Sequence, residues 1–353
     1  MRVLLVRTDR IGDVLLTTPA IGYLRQKMPE AKFSLLVSPQ TKELVQGHPE
    51  IEEILVLDKR GRHRGLWGSY RFIRLLKKRG FDTALIFHPT VRVHLLLFLA
   101  GIPRRIGYRK KMGWFLTHWV KDQRHLGNQH EVDNVLDFID QSRLGSTKAS
   151  RSYRLWIASS EQADQRISKY LESFAVREEE RLIAIHPGAG CPSKQWPLER
   201  FVEVAKGFGA QGYRVIFVGG KEDFRVREEL SKCEVQDVRY KAVKEIIDLS
   251  GQTTLLELSS LLRRCRLLIS NDSGPVHVAV ASGTPALSIF GRNQRGLSPT
   301  RWRPLGPNDR YLHKDVGCYV CLAHRCNLGF ECLGAISVEE VATAAKEMLA
   351  KLK

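Results

Sequence analysis

The sequence contains no hydrophobic run long enough to cross a bilayer. Its longest strongly apolar stretch, residues 93–100, has eight residues, whereas a membrane-spanning helix needs about 20. The first residues also lack the charged region, apolar core and small-residue cleavage site of a signal peptide. We therefore expect a cytoplasmic protein without a transmembrane helix.

Acidic residues are scarce relative to basic ones. The 353 residues include 38 Asp and Glu against 56 Lys and Arg, for a formal net charge of +18. Such an excess predicts an anionic partner. The sequence has no zinc-finger spacing, no RNA-recognition signature and no basic heptad helix. An anionic membrane surface or a phosphorylated substrate is therefore favoured over nucleic acid.

Cysteine is also scarce, and its spacing does not define a disulfide framework. Three of the seven cysteines are scattered through regular segments, which is typical of a reducing compartment. The other four cluster as Cys318-x2-Cys321-x4-Cys326-x5-Cys332. The first pair resembles half of a structural zinc site, but the last spacing exceeds the usual two to four residues. The sequence leaves open whether this cluster binds metal.

Short apolar runs alternate with amphipathic segments in the first half of the chain. This alternation predicts parallel strands connected by helices. Residues 104–119, which are basic and aromatic, are expected to form an irregular surface loop. The predicted strands are 3–6, 32–37, 53–57 and 83–87, and the predicted helices are 11–28, 41–46 and 70–79.

A second alternating series begins near residue 181. We predict an α/β protein of the GT-B type, with two Rossmann-like doubly wound domains, 1–165 and 166–353, facing a central cleft. The last helix could pack back on the first domain. The predicted strands are 182–185, 214–218, 267–270 and 285–290, and the helices are 198–211, 222–232, 254–265 and 275–281.

The loop after the first strand reads RTDRIGDV, residues 7–14. Gly12 is expected to permit a tight turn into the following helix, which would project Asp13 into the cleft. An alternative is that Asp9 or Asp13 simply caps the helix, because Asp is among the best N-cap residues.

The loop after the strand at 182–185 reads HPGAGCPSKQWP, residues 186–197. Glycine, exposed amides and one lysine predict an anion-binding loop, with Lys194 as a point charge for phosphate. The Gly-Lys-Ser/Thr ending of a Walker A motif is missing. Alternatively, this is an ordinary strand-to-helix loop with Trp196 packed in the core.

A third loop reads NDSGPVHVA, residues 271–279. Asp272, Ser273 and Gly274 supply a cap and free backbone amides, and Pro275 suits the first helical position. A helix that begins in this way favours a diphosphate. His277 could reach the same anion or could be a buried core histidine.

Together these loops resemble the signatures of the ADP-heptose:lipopolysaccharide heptosyltransferases, glycosyltransferase family nine, closest to the heptosyltransferase II branch. The resemblance covers almost the whole chain, including the cysteine-rich segment after residue 315. It implies that Asp13 and Lys194 are catalytic. It further implies a donor site of Gly188, Lys194, Glu222, Asp272, Ser273, Gly274 and His277, and an acceptor site of Arg7, Arg10, Gly12, Arg62 and Arg64.

The implied reaction is an inverting transfer of heptose from ADP-heptose to the lipopolysaccharide inner core on lipid A. Because the sequence has no Asp-x-Asp motif, we expect no essential metal, and we expect no cofactor. The acceptor implies a peripheral protein on the inner face of the cytoplasmic membrane. The residues expected to contact the acceptor or anionic lipid are Arg60, Arg62, His63, Arg64, Arg71, Arg104, Arg105, Arg109, Lys110 and Lys111.

Other functions remain compatible with the same residues. A related glycosyltransferase could use another nucleotide sugar. A nucleotide-sugar-binding protein without catalysis would need Lys194 and the loop at 272–274 but not Asp13. A nucleic-acid-binding protein would explain the charge but not the three loops.

Overall fold

The computed structural model describes residues 1–220, 229, 246–318 and 320–352. The chain divides into two compact units, Met1–Ala158 and Ser159–Lys353. No helix in the described ranges is both long enough and apolar enough to cross a membrane.

The first unit is built on a six-stranded parallel sheet with the order β3-β2-β1-β4-β5-β6. Its strands are β1 (Arg2–Val6), β2 (Lys32–Val37), β3 (Glu53–Val56), β4 (Thr83–Ile86), β5 (Arg104–Tyr108) and β6 (His118–Val120). Its α-helices are α1 (Ile11–Leu15), α2 (Thr18–Lys27), α3 (Lys42–Val45), α4 (Gly65–Arg79), α5 (Val91–Leu99) and α6 (Glu131–Gln141).

The second unit repeats this design, with six parallel strands in the order β12-β11-β10-β7-β8-β9 in its described part. Its strands are β7 (Leu182–His186), β8 (Arg214–Phe217), β9 (Ile246–Asp248), β10 (Cys265–Asn271), β11 (Ala286–Phe290) and β12 (Arg310–His313). The described α-helices are α7 (Glu161–Ser173), α8 (Leu198–Gly209), α9 (Leu255–Arg264), α10 (Gly274–Ser282), α11 (Pro299–Trp302), α12 (Glu331–Gly334) and α13 (Val338–Ala350).

Both sheets have the Rossmann strand order, which confirms the predicted α/β class. In the first unit the order reverses between β1 and β4, and in the second between β7 and β10. Open α/β sheets bind ligands outside the carboxyl ends of the strands at such a reversal. The central strands are buried on both faces, since Val3 to Val6 and Leu182 to His186 are all buried. The residues that follow β1, β4, β7 and β10 are therefore the candidates for function.

The single helix predicted for residues 11–28 is in fact two helices, α1 and α2. Pro19 has no N–H to donate to the carbonyl of Leu15, so the hydrogen-bond ladder of an α-helix cannot continue through this point. The Thr18 hydroxyl donates to the Leu15 carbonyl at 2.7 Å instead. Pro19 therefore explains the break, which could not be predicted from the spacing of apolar residues alone.

The prediction of an irregular loop at residues 104–119 is wrong at both ends of this segment. Two strands of the first sheet, β5 and β6, lie there, and Ile106 of β5 pairs in register with Leu85 of β4. Only three consecutive residues of β5 are buried and the strand begins with two arginines. Pairing with the neighbouring strand thus overrides a weak local pattern.

The helix α7 lies wholly within the second unit, and the predicted boundary at 165/166 falls inside this helix. Its Asp164 accepts a hydrogen bond from Ser260 of α9, against which α7 packs. The helix α13, for which the sequence allowed a return to the first domain, packs on α8 of its own unit. The predicted helix 222–232 falls outside the described residues.

Candidate active site

A buried arginine at the carboxyl end of β1 organises three carboxylates in the first unit. The side chain of Arg7 is 2% exposed. Its Nη2 lies 2.6 Å from Asp13 Oδ1 and 3.1 Å from Glu131 Oε1, and its Nε lies 3.1 Å from Asp9 Oδ1. Burial alone would lower the pKa of Arg7, but the charges of the three acids outweigh it and raise that pKa. Arg7 therefore remains a cation that fixes Asp13 in place.

The two acids of the opening loop differ in their surroundings. Desolvation raises the pKa of Asp9 to about 7, although Arg7 acts in the opposite direction and Asp13 adds to the increase. Neither acid caps α1: the N-cap position belongs to Arg10, which has extended backbone angles, and no side chain caps this end. The capping alternative is therefore wrong, and both acids serve the network around Arg7.

Gly12 does not have the conformation that the sequence suggested. It is the second residue of α1, it is buried, and its φ is not positive. The turn into the helix is made at Arg10, with φ −89° and ψ 165°. Any residue can adopt these angles, so the expected reason for a glycine at position 12 is wrong.

Two further residues, which were not predicted from the sequence, border this network. His88 follows β4, the strand beside β1, and its buried Nδ1 has no hydrogen-bond partner. Desolvation, with smaller effects of Arg7 and Lys59, lowers the pKa of His88 to about 4, so its imidazole is neutral at pH 7. Lys59, which follows β3, donates to the Thr8 hydroxyl at 3.1 Å. In the sequence, only their positions after β3 and β4 could have identified Lys59 and His88 as candidates.

The other predicted acceptor residues lie on exposed parts of the first unit. Arg10 is exposed at the start of α1. Arg62 and Arg64 are exposed in the loop between β3 and α4, which is held by Asp58. The Asp58 carboxylate accepts from the amides of Gly61 at 2.8 Å and Arg62 at 2.9 Å. These arginines therefore project from an ordered loop.

The second unit places Lys194 beside the loop that follows β10. Lys194 Nζ lies 2.8 Å from Asp272 Oδ2 and donates to the Asp272 carbonyl at 3.0 Å. Arg292, which follows β11, reaches the same Asp272 Oδ2 at 3.1 Å. Two cations therefore share one carboxylate. Arg292 was not predicted from the sequence, where its position after a strand was again its only distinguishing feature.

The hydroxyl of Ser273 is used within the loop. It donates to the Asn271 carbonyl at 3.0 Å and lies 3.0 Å from Nδ1 of His186. Desolvation lowers the pKa of the buried His186 to about 4, so this histidine is neutral at pH 7. Ser273 is also the N-cap of α10, whose first turn has Pro275 and no side-chain cap. These contacts fix the amino end of α10, where backbone N–H groups and the helix dipole favour an anion.

A buried network joins the two loops of the second unit. The Asn271 side chain accepts from the Trp196 amide at 3.1 Å and donates to the Pro187 carbonyl at 2.6 Å. The Trp196 ring is buried, and its Nε1 donates to the Ile336 carbonyl at 3.0 Å. Trp196 thus packs in the core, as the alternative interpretation proposed, and in doing so anchors the loop that carries Lys194.

The remaining predicted donor residues are placed as follows. His277 is buried within α10, and Gly188 is buried in the loop after β7. Gly274 begins α10. Glu222 lies outside the described residues.

The four clustered cysteines are all within the described part of the chain and carry free thiols. Cys332 Sγ donates to the Gly291 carbonyl at 2.7 Å. Among the described residues, no group of three or more His, Cys, Asp or Glu side chains is arranged to hold a metal ion.

Comparison with known proteins identifies one family. The family model described as glycosyltransferase family 9 (heptosyltransferase) matches residues 69–330. Lipopolysaccharide heptosyltransferase 3 of Escherichia coli K12 is 26% identical, over 96% of this chain and 95% of that protein. A glycosyltransferase family 9 crystal structure from Veillonella parvula superposes with a TM-score of 0.83, at 27% identity over 99% of this chain and 97% of that one. The structure of E. coli ADP-heptose lps heptosyltransferase II gives 0.78, at 22% identity and 99% coverage of both chains.

Proposed function

Because this chain belongs to glycosyltransferase family 9, we propose that it transfers heptose from ADP-heptose to the lipopolysaccharide inner core on lipid A. The names of two relatives, lipopolysaccharide heptosyltransferase 3 and ADP-heptose lps heptosyltransferase II, support this choice of donor and acceptor. Membership of this family supports the assignment of a glycosyltransferase with the GT-B fold. The reaction would take place in the cytoplasm, at the anionic inner face of the cytoplasmic membrane.

The observation that carries the proposal is the fixed carboxylate at the carboxyl end of β1. Asp13 is held at 2.6 Å by the buried Arg7, yet its side chain keeps 18% of its surface exposed. Arg7 also pairs with Asp9 and Glu131. Its single positive charge is therefore divided among three acids and does not fully neutralise Asp13. Asp13 is therefore an anchored, accessible acid, which is what a general base needs.

In the proposed step, Asp13 accepts the proton of an acceptor hydroxyl while that oxygen attacks the anomeric carbon of the heptose. The bond from this carbon to the diphosphate oxygen breaks on the opposite face, ADP leaves, and the configuration inverts. Negative charge grows on the departing diphosphate. Lys194, Arg292 and the amino end of α10 would stabilise it, and Asp272 would hold the two cations in position.

The test uses purified protein, a panel of nucleotide sugars and a lipid A core acceptor, with the product measured by mass spectrometry. We expect heptose addition from ADP-heptose. We expect Asp13→Asn to bind ADP-heptose with an affinity close to wild type while transfer falls by at least about 100-fold. Transfer by Asp13→Asn at the wild-type rate would refute the assigned base, and binding without any transfer by the wild type would indicate a non-catalytic protein.

A further inference from the structure

Exposed apolar side chains are concentrated in one part of the first unit. At the start of α4, Leu66 and Trp67 are 89% and 79% exposed. Further exposed apolar residues lie on α5 and in the segment that precedes and forms β6. We call this set the apolar surface; its members are Leu66, Trp67, Tyr70, Val91, Leu95, Phe98, Leu99, Trp114 and Trp119.

The helix α5 is apolar on two faces. Val93, Leu96 and Leu97 pack into the core of the first unit. Val91, Leu95 and Phe98 follow at helical spacing on the outward face and are exposed. A helix whose outward face is apolar as well as its inward face is normally covered on both, by protein or by lipid. The outward face of α5 therefore requires a partner.

Direct contacts join the parts of the apolar surface. The ring centroid of Phe98 lies 4.8 Å from that of Phe115, which in turn lies 6.0 Å from Trp114. At the other end of α5, Arg92 donates to the Ser69 hydroxyl of α4 at 3.2 Å and also bonds to the His63 carbonyl. The helices α4 and α5 and the segment before β6 thus form one continuous part of the unit.

The charge around the apolar surface is almost entirely of one sign. Residues 59–121 contain sixteen Lys and Arg and a single acid, Asp82, and so carry +15 of the net charge of +18. Arg105 is bound within the protein and is not counted among the bases available to lipid: it donates to the Phe115 carbonyl at 2.7 Å and lies over the Phe98 ring. The exposed bases that border the apolar surface include Arg60, Arg62, Arg64, Arg71, Arg74, Arg109 and Lys111.

We infer that the apolar surface inserts into the headgroup region of an anionic phospholipid bilayer, with the bordering bases bound to lipid phosphates. Tryptophan, leucine and phenylalanine surrounded by Lys and Arg, on a segment with almost no acids, match an interfacial layer that is apolar below and anionic above. An acidic protein surface would match the charges but would also need an apolar face of the same extent, whereas the interfacial layer of an anionic bilayer supplies both. The inference rests on the proposed function, in which the acceptor is anchored in a membrane, and it identifies the side of the enzyme that meets that membrane.

The test is co-sedimentation of the full-length protein with vesicles that contain no saccharide acceptor. Vesicles of phosphatidylglycerol and phosphatidylethanolamine should bind the protein, and phosphatidylcholine vesicles should bind it weakly. The double variant Leu66→Ser/Trp67→Ser should reduce partitioning by about tenfold or more, since two large apolar side chains lose their lipid contacts. The matched control, Phe174→Ser/Tyr311→Ser, alters two exposed aromatic residues of the second unit and should bind as the wild type.

A second measurement separates insertion from electrostatic contact alone. Brominated lipids should quench tryptophan fluorescence, and Trp67→Phe/Trp114→Phe should remove most of this quenching. Three results would overturn the inference: vesicle binding that Leu66→Ser/Trp67→Ser does not reduce and that high salt abolishes, self-association that Leu66→Ser/Trp67→Ser abolishes, or tighter binding to single-stranded RNA than to vesicles.

The transfer assay with a water-soluble, delipidated acceptor keeps this inference separate from the proposed function. Leu66→Ser/Trp67→Ser should retain the wild-type rate on that acceptor and lose rate only on acceptor embedded in vesicles. If no heptose transfer is found while acceptor-free vesicles still bind, the proposed function fails and the membrane surface stands. If heptose transfer occurs but the vesicles do not bind the protein, the membrane surface is refuted and the proposed function stands.

Discussion

The Nη2 atom of Arg7 lies 2.6 Å from Oδ1 of Asp13, and the arginine is almost completely buried. A buried guanidinium would be costly without anionic partners, and here three carboxylates surround it. The orientation of the proposed base is therefore built into the core of the first unit. Changes to the partners of Arg7 should affect both stability and transfer.

Glu131→Gln should lower the free energy of unfolding. Glu131 is fully buried and accepts from Arg7 at 3.1 Å. Glutamine keeps the acceptor oxygen but loses the negative charge that compensates the buried guanidinium, which should cost about 1.5–3 kcal/mol. Chemical denaturation measures this loss. Asp133→Asn, on the same helix but paired near the surface with Tyr153 and Arg151, is the matched control and should cost less than about 1 kcal/mol. Equal losses in the two variants would contradict the assigned role of Glu131.

Asp9→Asn should change how stability depends on pH. Burial raises the pKa of Asp9 from 3.8 to about 7, so between these values the folded protein binds a proton that the unfolded chain has released. The stability contributed by the protonated acid is complete below the unfolded pKa and is lost as the pH rises through the folded one. The difference in unfolding free energy between wild type and Asp9→Asn should change across this window by at most about 1.4 kcal/mol per pH unit. Parallel curves would show that Asp9 does not titrate there.

Asp272→Asn should make the protein depend on bound ADP for stability. The carboxylate compensates Lys194 at 2.8 Å and the buried Arg292 at 3.1 Å, and the loss of its charge leaves both cations without their shared negative partner. A bound diphosphate would restore negative charge. Thermal unfolding should therefore show a lower Tm without ligand and a larger increase on saturation with ADP than in the wild type. An ADP-induced shift smaller than that of the wild type would oppose this arrangement.

Arg292→Met should weaken ADP binding by about tenfold or more, because a charge-assisted hydrogen bond to phosphate contributes at least about 1.5 kcal/mol. Isothermal titration calorimetry measures the change in Kd. Arg295→Met, in the same loop but exposed, is the control and should bind as the wild type. If both variants bind ADP normally, Arg292 holds only Asp272.

Removal of divalent metal should leave transfer unchanged. The proposed cations for the departing diphosphate are Lys194 and Arg292, and the sequence has no Asp-x-Asp motif. Rates after dialysis against EDTA, with and without added Mg²⁺, test this expectation. A loss of rate that Mg²⁺ restores would show that the protein cations are not sufficient.

The alternation of apolar and amphipathic segments predicted most strands and helices of both units. Central parallel strands such as β1 and β7 are buried on both faces, so their signal is an uninterrupted apolar run. The strands β5 and β6 lacked this signal, because short basic segments obtain their stability from strand pairing. Pro19 in the sequence indicates the break between α1 and α2, but the prediction of one helix relied on apolar periodicity, which does not detect a proline.

The order of residues along the chain was enough to assign the family and the Rossmann character of both units. It also identified Asp13, Lys194 and Ser273 as candidates, because each follows a buried strand and carries suitable chemistry. The way in which these residues are held depends on contacts that form only in the folded protein. Arg7 and Glu131 are 124 positions apart, and Lys194 and Asp272 are 78 apart. Parallel strand order, rather than any local pattern, brings the carboxyl ends of β1 and β4, and of β7 and β10, to one edge of each sheet. Contacts across such distances depend on that order, so Glu131, His88 and Arg292 became visible only when the strands were placed side by side.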